Sequence, residues 1–414
     1  MVRKILIMLL PIFMIGCSSE EPLNPENLVA QKSSSIRSTD EAVELAKNAY
    51  SAFHSDSRSG IPEIESVSII YGNKGRSDEN DTLIYAINYK DDTGFALVAA
   101  PESAFPVLAI TESGTYGSSL NTENSNFQFF LERIKDYVGM STYGINPGDI
   151  SIGGENPLKR KEVRGPRVKV TWNQQWPENI FCPNRVAGCF PVALAQVMSY
   201  LEYPTTMSFH YPEADVSVQS INWEELKKHK KSLTVFVPTQ EEIDEHASSM
   251  WCGAEDEIHN VLARIIREIG HRSNSTYYSQ LGVTDTKVIN ILSTITDFIP
   301  ASRVSTYSGD DDIFDLMWNN QNVVAVITGH TALNEGHAWV LDGAMKMTIK
   351  STLPDGLDIV GYYVHNNYGY NGESNGFYYE GVYNTGVTPE PVVGIMSRAG
   401  DNYTQNIKIY SIMK

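Results

Sequence analysis

The chain is poor in cysteine, with four in 414 residues: Cys17, Cys182, Cys189 and Cys252. No two are spaced as a CxxC pair, so a structural zinc site is not supported. Positive charge is scarce too. Lys and Arg number 32 against 50 Asp and Glu, a formal net charge of −18. No basic cluster marks a nucleic-acid face, and the overall sign opposes phosphate binding. The acidity reads as solubility. The apolar run Ile5 to Ile15 is too short to span a bilayer as a stable helix. Internal repeats and low-complexity segments are absent. What remains is an ordinary globular composition, 42% hydrophobic and 20% charged, with length for two domains.

The N-terminus reads as an export signal. Arg3 and Lys4 precede the short apolar run, which ends in Met14-Ile15-Gly16-Cys17. That tetrapeptide resembles a bacterial lipobox, with Met14 and Ile15 as departures from its usual residues. The resemblance implies a signal peptide over 1–16 and acylation of Cys17. Several acyl chains would anchor the chain firmly to a membrane. Ser18 and Glu20-Glu21 resemble sorting and surface-export signals of some Gram-negative lipoproteins. The expected location is the cell envelope, as an outer-membrane lipoprotein on either face, with release after processing left open. Residues 17–37 are polar and read as a flexible tether.

Residues 38–146 read as a small α+β domain. Ser38 or Thr39 caps a helix whose apolar face is Ala42, Val43, Leu45, Ala46 and Ala49. Strands are expected at Val67–Tyr71, Thr82–Ile87 and Gly94–Ala99, and a second helix at Phe127–Val138. Residues 147–167 read as an exposed linker, Gly/Pro/Asn-rich at first and then basic from Leu158 to Arg167. Such loops are where proteases cut. The remaining domain, 168–414, has helices at its start and over Ile258–Ile269 and Val288–Phe298. A buried strand is expected at Val323–Ile327, with others at Ala338–Leu341, Gly361–Val364 and Gly376–Tyr379.

The most informative stretch is Gly188 to Gln196. Gly188 allows a tight backbone approach, and Pro191 suits the first turn of a helix. Cys189 then stands at a helix N-terminus, where the macrodipole and free N–H groups favour a thiolate. A lone cysteine is more often a buried structural thiol, but two segments argue against that here. Gly336-His337-Ala338-Trp339-Val340-Leu341-Asp342-Gly343 places a histidine at the start of an apolar strand that ends in a turn. Trp172-Asn173-Gln174 places amides just ahead of the cysteine. Glutamine, cysteine and histidine in that order are the parts of a thiol acyl-transfer site. The Gln174 amide donates to the oxyanion, the Cys189 thiolate attacks, and His337 shuttles the proton. Cys182 is the rival nucleophile, but it precedes Pro183 in a turn-rich loop with no helix behind it.

Four segments in order resemble the streptopain family of papain-like cysteine peptidases. They are Trp172-Asn173-Gln174 with Cys182-Pro183, and Ala187-Gly188-Cys189 through Met198 with Tyr203-Pro204. Gly336 to Gly343 is the third, and Val364 to Tyr370 with Ser374-Asn375-Gly376-Phe377 is the fourth. The long separation of Cys189 and His337 fits partners that meet only in the fold. The resemblance implies an α+β, papain-like two-lobed catalytic domain, a helical half plus an antiparallel sheet half, preceded by a small α+β propeptide domain. The implied activity is that of a cysteine endopeptidase made as a zymogen, cut within the linker so that the mature domain begins between Lys159 and Lys169. Gly336 is implied in substrate binding, Asn367 as the orienter of His337, and Tyr368 as its flanking cover. Asp342 rivals Asn367, but its place on the same strand suggests that it points away or serves the turn.

The chain departs from the family at two places. Asn367-Tyr368-Gly369-Tyr370-Asn371 stands where Asn-Trp-Gly-Trp-Gly is usual, and Tyr368 brings a hydroxyl that needs a partner. Asn274 to Gln280 lacks the usual Gly/Ser-rich substrate loop, so substrate preference stays open. His330 ends the strand before His337 and lacks its strand-turn context. His365 reads as a packing or hydrogen-bonding residue. Cys182 and Cys252 could pair in an oxidising compartment. No metal or organic cofactor is expected. The expected partners are protein or peptide substrates and, through the N-terminal lipid, a membrane, with the protein itself a monomer. Two alternatives stand: a non-hydrolytic thiol acyltransferase, and a catalytically silent papain-fold surface binding lipoprotein.

Overall fold

Ser38 starts the fold with a capping box: its hydroxyl accepts from Glu41 N at 3.3 Å, and Glu41 Oε2 accepts from Ser38 N at 2.7 Å. Two orphan donors of the first turn are thereby satisfied. The structure, a computed structural model, describes residues 36–54, 62–72, 82–141, 158–210, 217–228, 257–278, 283–308, 313–330, 336–349, 359–383 and 407–414. All of them lie in one compact unit, Ser35–Lys414. The expected signal peptide, Cys17 and Cys252 lie outside the described residues.

The helices are α1 (Thr39–Phe53), α2 (Ser119–Glu123), α3 (Ser125–Ser141), α4 (Cys189–Leu201), α5 (Trp223–Leu226), α6 (Glu257–Arg272), α7 (Val288–Phe298) and α8 (Ile313–Asn319). The strands are β1 (Ile64–Tyr71), β2 (Thr82–Tyr89), β3 (Phe95–Ala99), β4 (Val107–Thr111), β5 (Leu158–Arg164), β6 (Thr206–Phe209), β7 (Ser217–Ser220), β8 (Thr276–Tyr278), β9 (Val283–Asp285), β10 (Val304–Ser308), β11 (Val323–His330), β12 (Gly336–Ile349), β13 (Ile359–Asn367), β14 (Gly376–Tyr379) and β15 (Lys408–Met413). The protein is α+β, as expected. Every strand pairing is antiparallel.

One sheet runs β1-β2-β3-β4-β14-β13-β12-β11-β15-β10, with β5 also paired to β12. The junction is β4 with β14, where Thr111, Ile110 and Ala109 lie opposite Gly376, Phe377 and Tyr378. The strands of the N-terminal part therefore continue the sheet of the C-terminal part. Gly376 makes this approach possible: a Cβ there would collide with the Ile110 carbonyl oxygen and come within 2.5 Å of Thr111 Cα.

Alternation along the strands assigns the two faces. On β11, Val323, Ala325 and Ile327 share a core cluster with Phe127, Phe130, Leu131 and Ile134 of α3. Val324 and Val326 face the opposite cluster, built around α4, α6 and α7. On the N-terminal half, α1 covers that opposite side, packing Ala42, Leu45, Ala46 and Ala49 against Tyr85, Ala96 and Val98. Helices on both faces explain why β3 and β4 are buried along their whole length.

Two local expectations change. Leu158–Arg164, expected as part of an exposed linker, is β5, with Leu158 to Arg164 lying opposite Ile349 to Ala344 of β12. Lys161 and Arg164 find local partners: Lys161 Nζ donates to the Phe53 carbonyl and lies 4.9 Å from the Phe53 ring centroid. Arg164 stacks on Trp318 at 4.1 Å. Second, Asp342-Gly343 is no turn. β12 continues to Ile349, and the register shift between Leu341 and Gly343 marks an irregularity in the ladder with β13. The first part of the expected linker, 147–157, lies outside the described residues.

Candidate active site

The nucleophile helix forms as its sequence predicts. Gly188 is the N-cap of α4 with φ +90°, a left-handed value that favours glycine. Cys189 is the first helical residue, and Pro191 falls in the first turn. From Phe190 to Ser199 every residue is buried, so α4 is an interior helix that nears the surface only at its two ends, at Cys189 and from Tyr200 to Glu202. Cys189 is half-buried, and its Sγ donates to the Gly336 carbonyl at 3.9 Å. Helix start and histidine strand thus meet, with Gly336 in contact with the thiol and His337 next to it.

Cys182 behaves differently. It is a buried free thiol, and burial pushes it up to about 12 despite the opposing charges of Arg267 and Arg185. A thiol so held is protonated at neutral pH and a poor nucleophile.

The segment carrying Gln174 is folded on itself. Trp172 is fully buried. Asn173 Oδ1 accepts from Gln175 N at 2.6 Å, and Asn173 N donates to the buried Glu178 at 3.4 Å. Gln174 Nε2 is buried and has no hydrogen-bond partner among the described residues. A buried amide donor left without an acceptor costs about 1–3 kcal/mol. The position suits a donor held for an acceptor that arrives with a ligand.

His337 stands in register with Trp339 and Leu341, on the α3 side of β12, while Ala338 and Val340 face α4. Its ring stacks on Phe129 of α3, with centroids 4.8 Å apart and planes at 21°. Gly329, opposite His337 in the β11–β12 pairing, makes room: a Cβ there would lie 2.6 Å from Phe129 Cε1. One turn earlier, Asn126 Nδ2 donates to the Ala338 and Tyr368 carbonyls, both at 2.9 Å. Ser125 Oγ lies 3.3 Å from the Tyr370 hydroxyl. Ser125, Asn126 and Phe129 bring the first turns of α3 onto the strand that carries His337. A helix is expected here from the apolar pattern, but that pattern carries no sign of its partner.

Asn367 does not orient His337 in this state. Its Nδ2 donates to the Val170 carbonyl at 2.8 Å, and its Oδ1 accepts from Gly369 N at 3.3 Å. The Tyr368 hydroxyl has found the partner it needs, accepting from Asn366 Nδ2 at 2.8 Å. Its ring is buried beside Trp339, with centroids 5.8 Å apart. Asp342 points away from His337, as expected, and binds His365 Nδ1 at 2.6 Å. His330 is the last residue of β11, opposite Gly336.

A sequence model of the peptidase C10 family matches residues 169–378, just over half of the chain. The chain belongs to the peptidase C10 family. A model described as Spi protease inhibitor matches residues 32–138 of this C10 peptidase. A prointerpain A fragment from Prevotella intermedia superposes with a TM-score of 0.53 at 17% identity, covering 83% of this chain and 98% of that one. Active interpain A, a cysteine protease of the same organism, gives a TM-score of 0.35 at 16% identity over 60% of this chain and 94% of its own. No curated protein matches the sequence significantly. The chain is therefore a cysteine peptidase zymogen, with an inhibitor-like propeptide ahead of the peptidase.

Proposed function

We propose that the protein is an exported, lipid-anchored cysteine endopeptidase in which Cys189 and His337 carry the chemistry. Two observations carry this reading: the Cys189 thiol on the carbonyl of Gly336, the residue just before His337, and propeptide Phe129 stacked on the His337 ring. Once the propeptide leaves, the Cys189 thiolate attacks a peptide carbonyl and forms a thioester. Gln174 Nε2 and the Cys189 N–H hold the oxyanion. His337 protonates the leaving amine, then takes a proton from the water that hydrolyses the thioester. Gly336 lines the substrate path, Asn367 and Tyr368 support the strand that flanks it, and no metal takes part.

Lipid attachment at Cys17 rests on the lipobox-like Met14-Ile15-Gly16-Cys17, and places the peptidase in the cell envelope as an outer-membrane lipoprotein. Activation cuts within 147–167. A cut ahead of Leu158 would leave β5 in the peptidase sheet; a cut after Arg164 would strip a strand from β12. The first is favoured, because β5 is paired to β12 along its length, and it moves the mature N-terminus ahead of the span Lys159 to Lys169 expected from the sequence.

Self-processing tests the reading. Residues 19–414 are expressed as wild type and as Cys189→Ala and followed by intact mass under reducing conditions. Loss of the propeptide by the wild type alone is the expected result. If neither chain changes, and the wild type stays silent on casein after trypsin has cut the linker, the endopeptidase reading fails in favour of a binding protein. Transfer of the acyl group to an amine rather than to water would mark an acyltransferase.

A further inference from the structure

Beyond the register irregularity on β12, a histidine is sealed between carboxylates from the two parts of the chain. His365, on β13 opposite Gly343, is 2% exposed. Its Nδ1 lies 2.6 Å from Asp342 Oδ1, and its Nε2 lies 3.5 Å from Glu112 Oε2. Asp342 is fully buried in the peptidase, where its second oxygen accepts from Val168 N at 2.8 Å. Glu112 belongs to the propeptide, one residue past β4, and its N–H donates to the Asn375 carbonyl at 2.8 Å. The other charged groups that bear on this place are His54 at the end of α1, Lys161 on β5, and Lys169.

Burial alone would strip His365 of its proton. The charges of Asp342 and Glu112 outweigh it, and the imidazole is raised to about 10. Glu112 keeps 34% of its side-chain surface exposed; partial desolvation raises its carboxyl, yet the charge of His365, with Lys169 and His54, holds it below the usual range. The pair is ionised at neutral pH.

We propose that Asp342 and His365 form a charged socket in the peptidase, that Glu112 is the propeptide group seated in it, and that acid releases the seat. The proposal rests on the zymogen reading and adds a second hold, remote from Cys189. His365 is the buried member of the pair, and a buried charge left without a partner bears its full desolvation cost. Asp342 spares the peptidase that cost, because it still neutralises His365 after the propeptide has gone. The contact is therefore one the peptidase can lose without unfolding. Glu112 is depressed while seated, so its contribution is complete above its free value. It is lost as pH falls through the seated value. Protonation of His54 on the way down adds positive charge beside Glu112 and does not reverse this sign.

The test uses the full chain with Cys189→Ala, to prevent self-cleavage. Hydrogen exchange, corrected for intrinsic rates, is followed at β4 and β14 with α4 as internal reference, from neutral pH to about pH 3. The wild-type interface should lose protection on acidification before α4 does. Glu112→Gln should lower β4 and β14 protection at neutral pH about tenfold, the scale of one charge-assisted contact, and flatten the acid dependence. Glu112→Gln with wild-type protection and pH profile would overturn the proposal. Should that variant fail to fold, wild-type loss of β4, β14 and α4 together would do so. A thiol-dependent peptidase assay on the trypsin-cut Cys189 chain reports separately on the zymogen reading, so the two can fail independently.

Discussion

The rings of Phe129 and His337 lie parallel, 4.8 Å apart, one in the propeptide and one in the peptidase. An imidazole covered in this way is not available to a substrate. Phe129→Ala removes the cover and the buried ring of a core residue, a change that costs about 3–5 kcal/mol in a well-packed site. The expected outcome is a lower melting temperature for the uncut chain and faster labelling of Cys189 by an active-site thiol probe. Labelling as slow as in the wild type would show that Phe129 is only a packing residue.

The two described cysteines should separate by reactivity. Cys189 is half-buried at a helix N-terminus, while burial holds Cys182 near 12. Iodoacetamide at neutral pH should modify Cys189 after linker cleavage and leave Cys182 untouched, as read by peptide mass mapping. Cys189→Ala should abolish turnover with the fold intact, and Cys182→Ala should retain turnover.

Gln174 should matter to the rate more than to binding. Its buried, unpartnered Nε2 is suited to a charge that exists only during the reaction. Gln174→Ala is expected to lower kcat about 10²- to 10³-fold with little change in KM, by analogy with loss of one oxyanion donor. A rise in KM at constant kcat would assign Gln174 to ground-state binding instead.

Gly376 separates zymogen from mature enzyme. A Cβ there meets Ile110 and Thr111 of the propeptide strand β4. Gly376→Ala should therefore destabilise the uncut chain, lowering its melting temperature, while peptidase activity after propeptide removal stays near wild type. Equal losses in both forms would mean that the glycine serves the peptidase fold itself.

Much of this was legible from local pattern. The Ser38 cap, the Cys189 helix and the buried Val323–Ile327 strand follow from periodicity and capping chemistry. So does the choice of Cys189 over Cys182, since only one has an apolar helix behind it. What escaped is what depends on a distant partner. Leu158–Arg164 looks solvated until β12 offers it a ladder and Phe53 and Trp318 receive its cations. Asp342-Gly343 has turn composition, yet the strand runs through it, because Asp342 is needed by His365 and Val168. The resemblance assigns Asn367 to His337, but its amide is taken by Val170 and Gly369. The face of α3 that meets β12 has no local signal, since Phe129 reads as any other apolar helical residue.

The shared sheet has a consequence for the direction of activation. In the proposed activation, cutting the linker would break one covalent bond and leave the β4–β14 ladder to hold the severed piece, which could rebind whenever it fell away. Hydrolysis by itself is thus a reversible unlocking. It would become one-way only through the fate of the fragment: dilution or digestion would remove the strand that could return and leave the peptidase with a raw edge at Gly376–Tyr379. Such a switch would be a ratchet whose pawl is the loss of its own inhibitor.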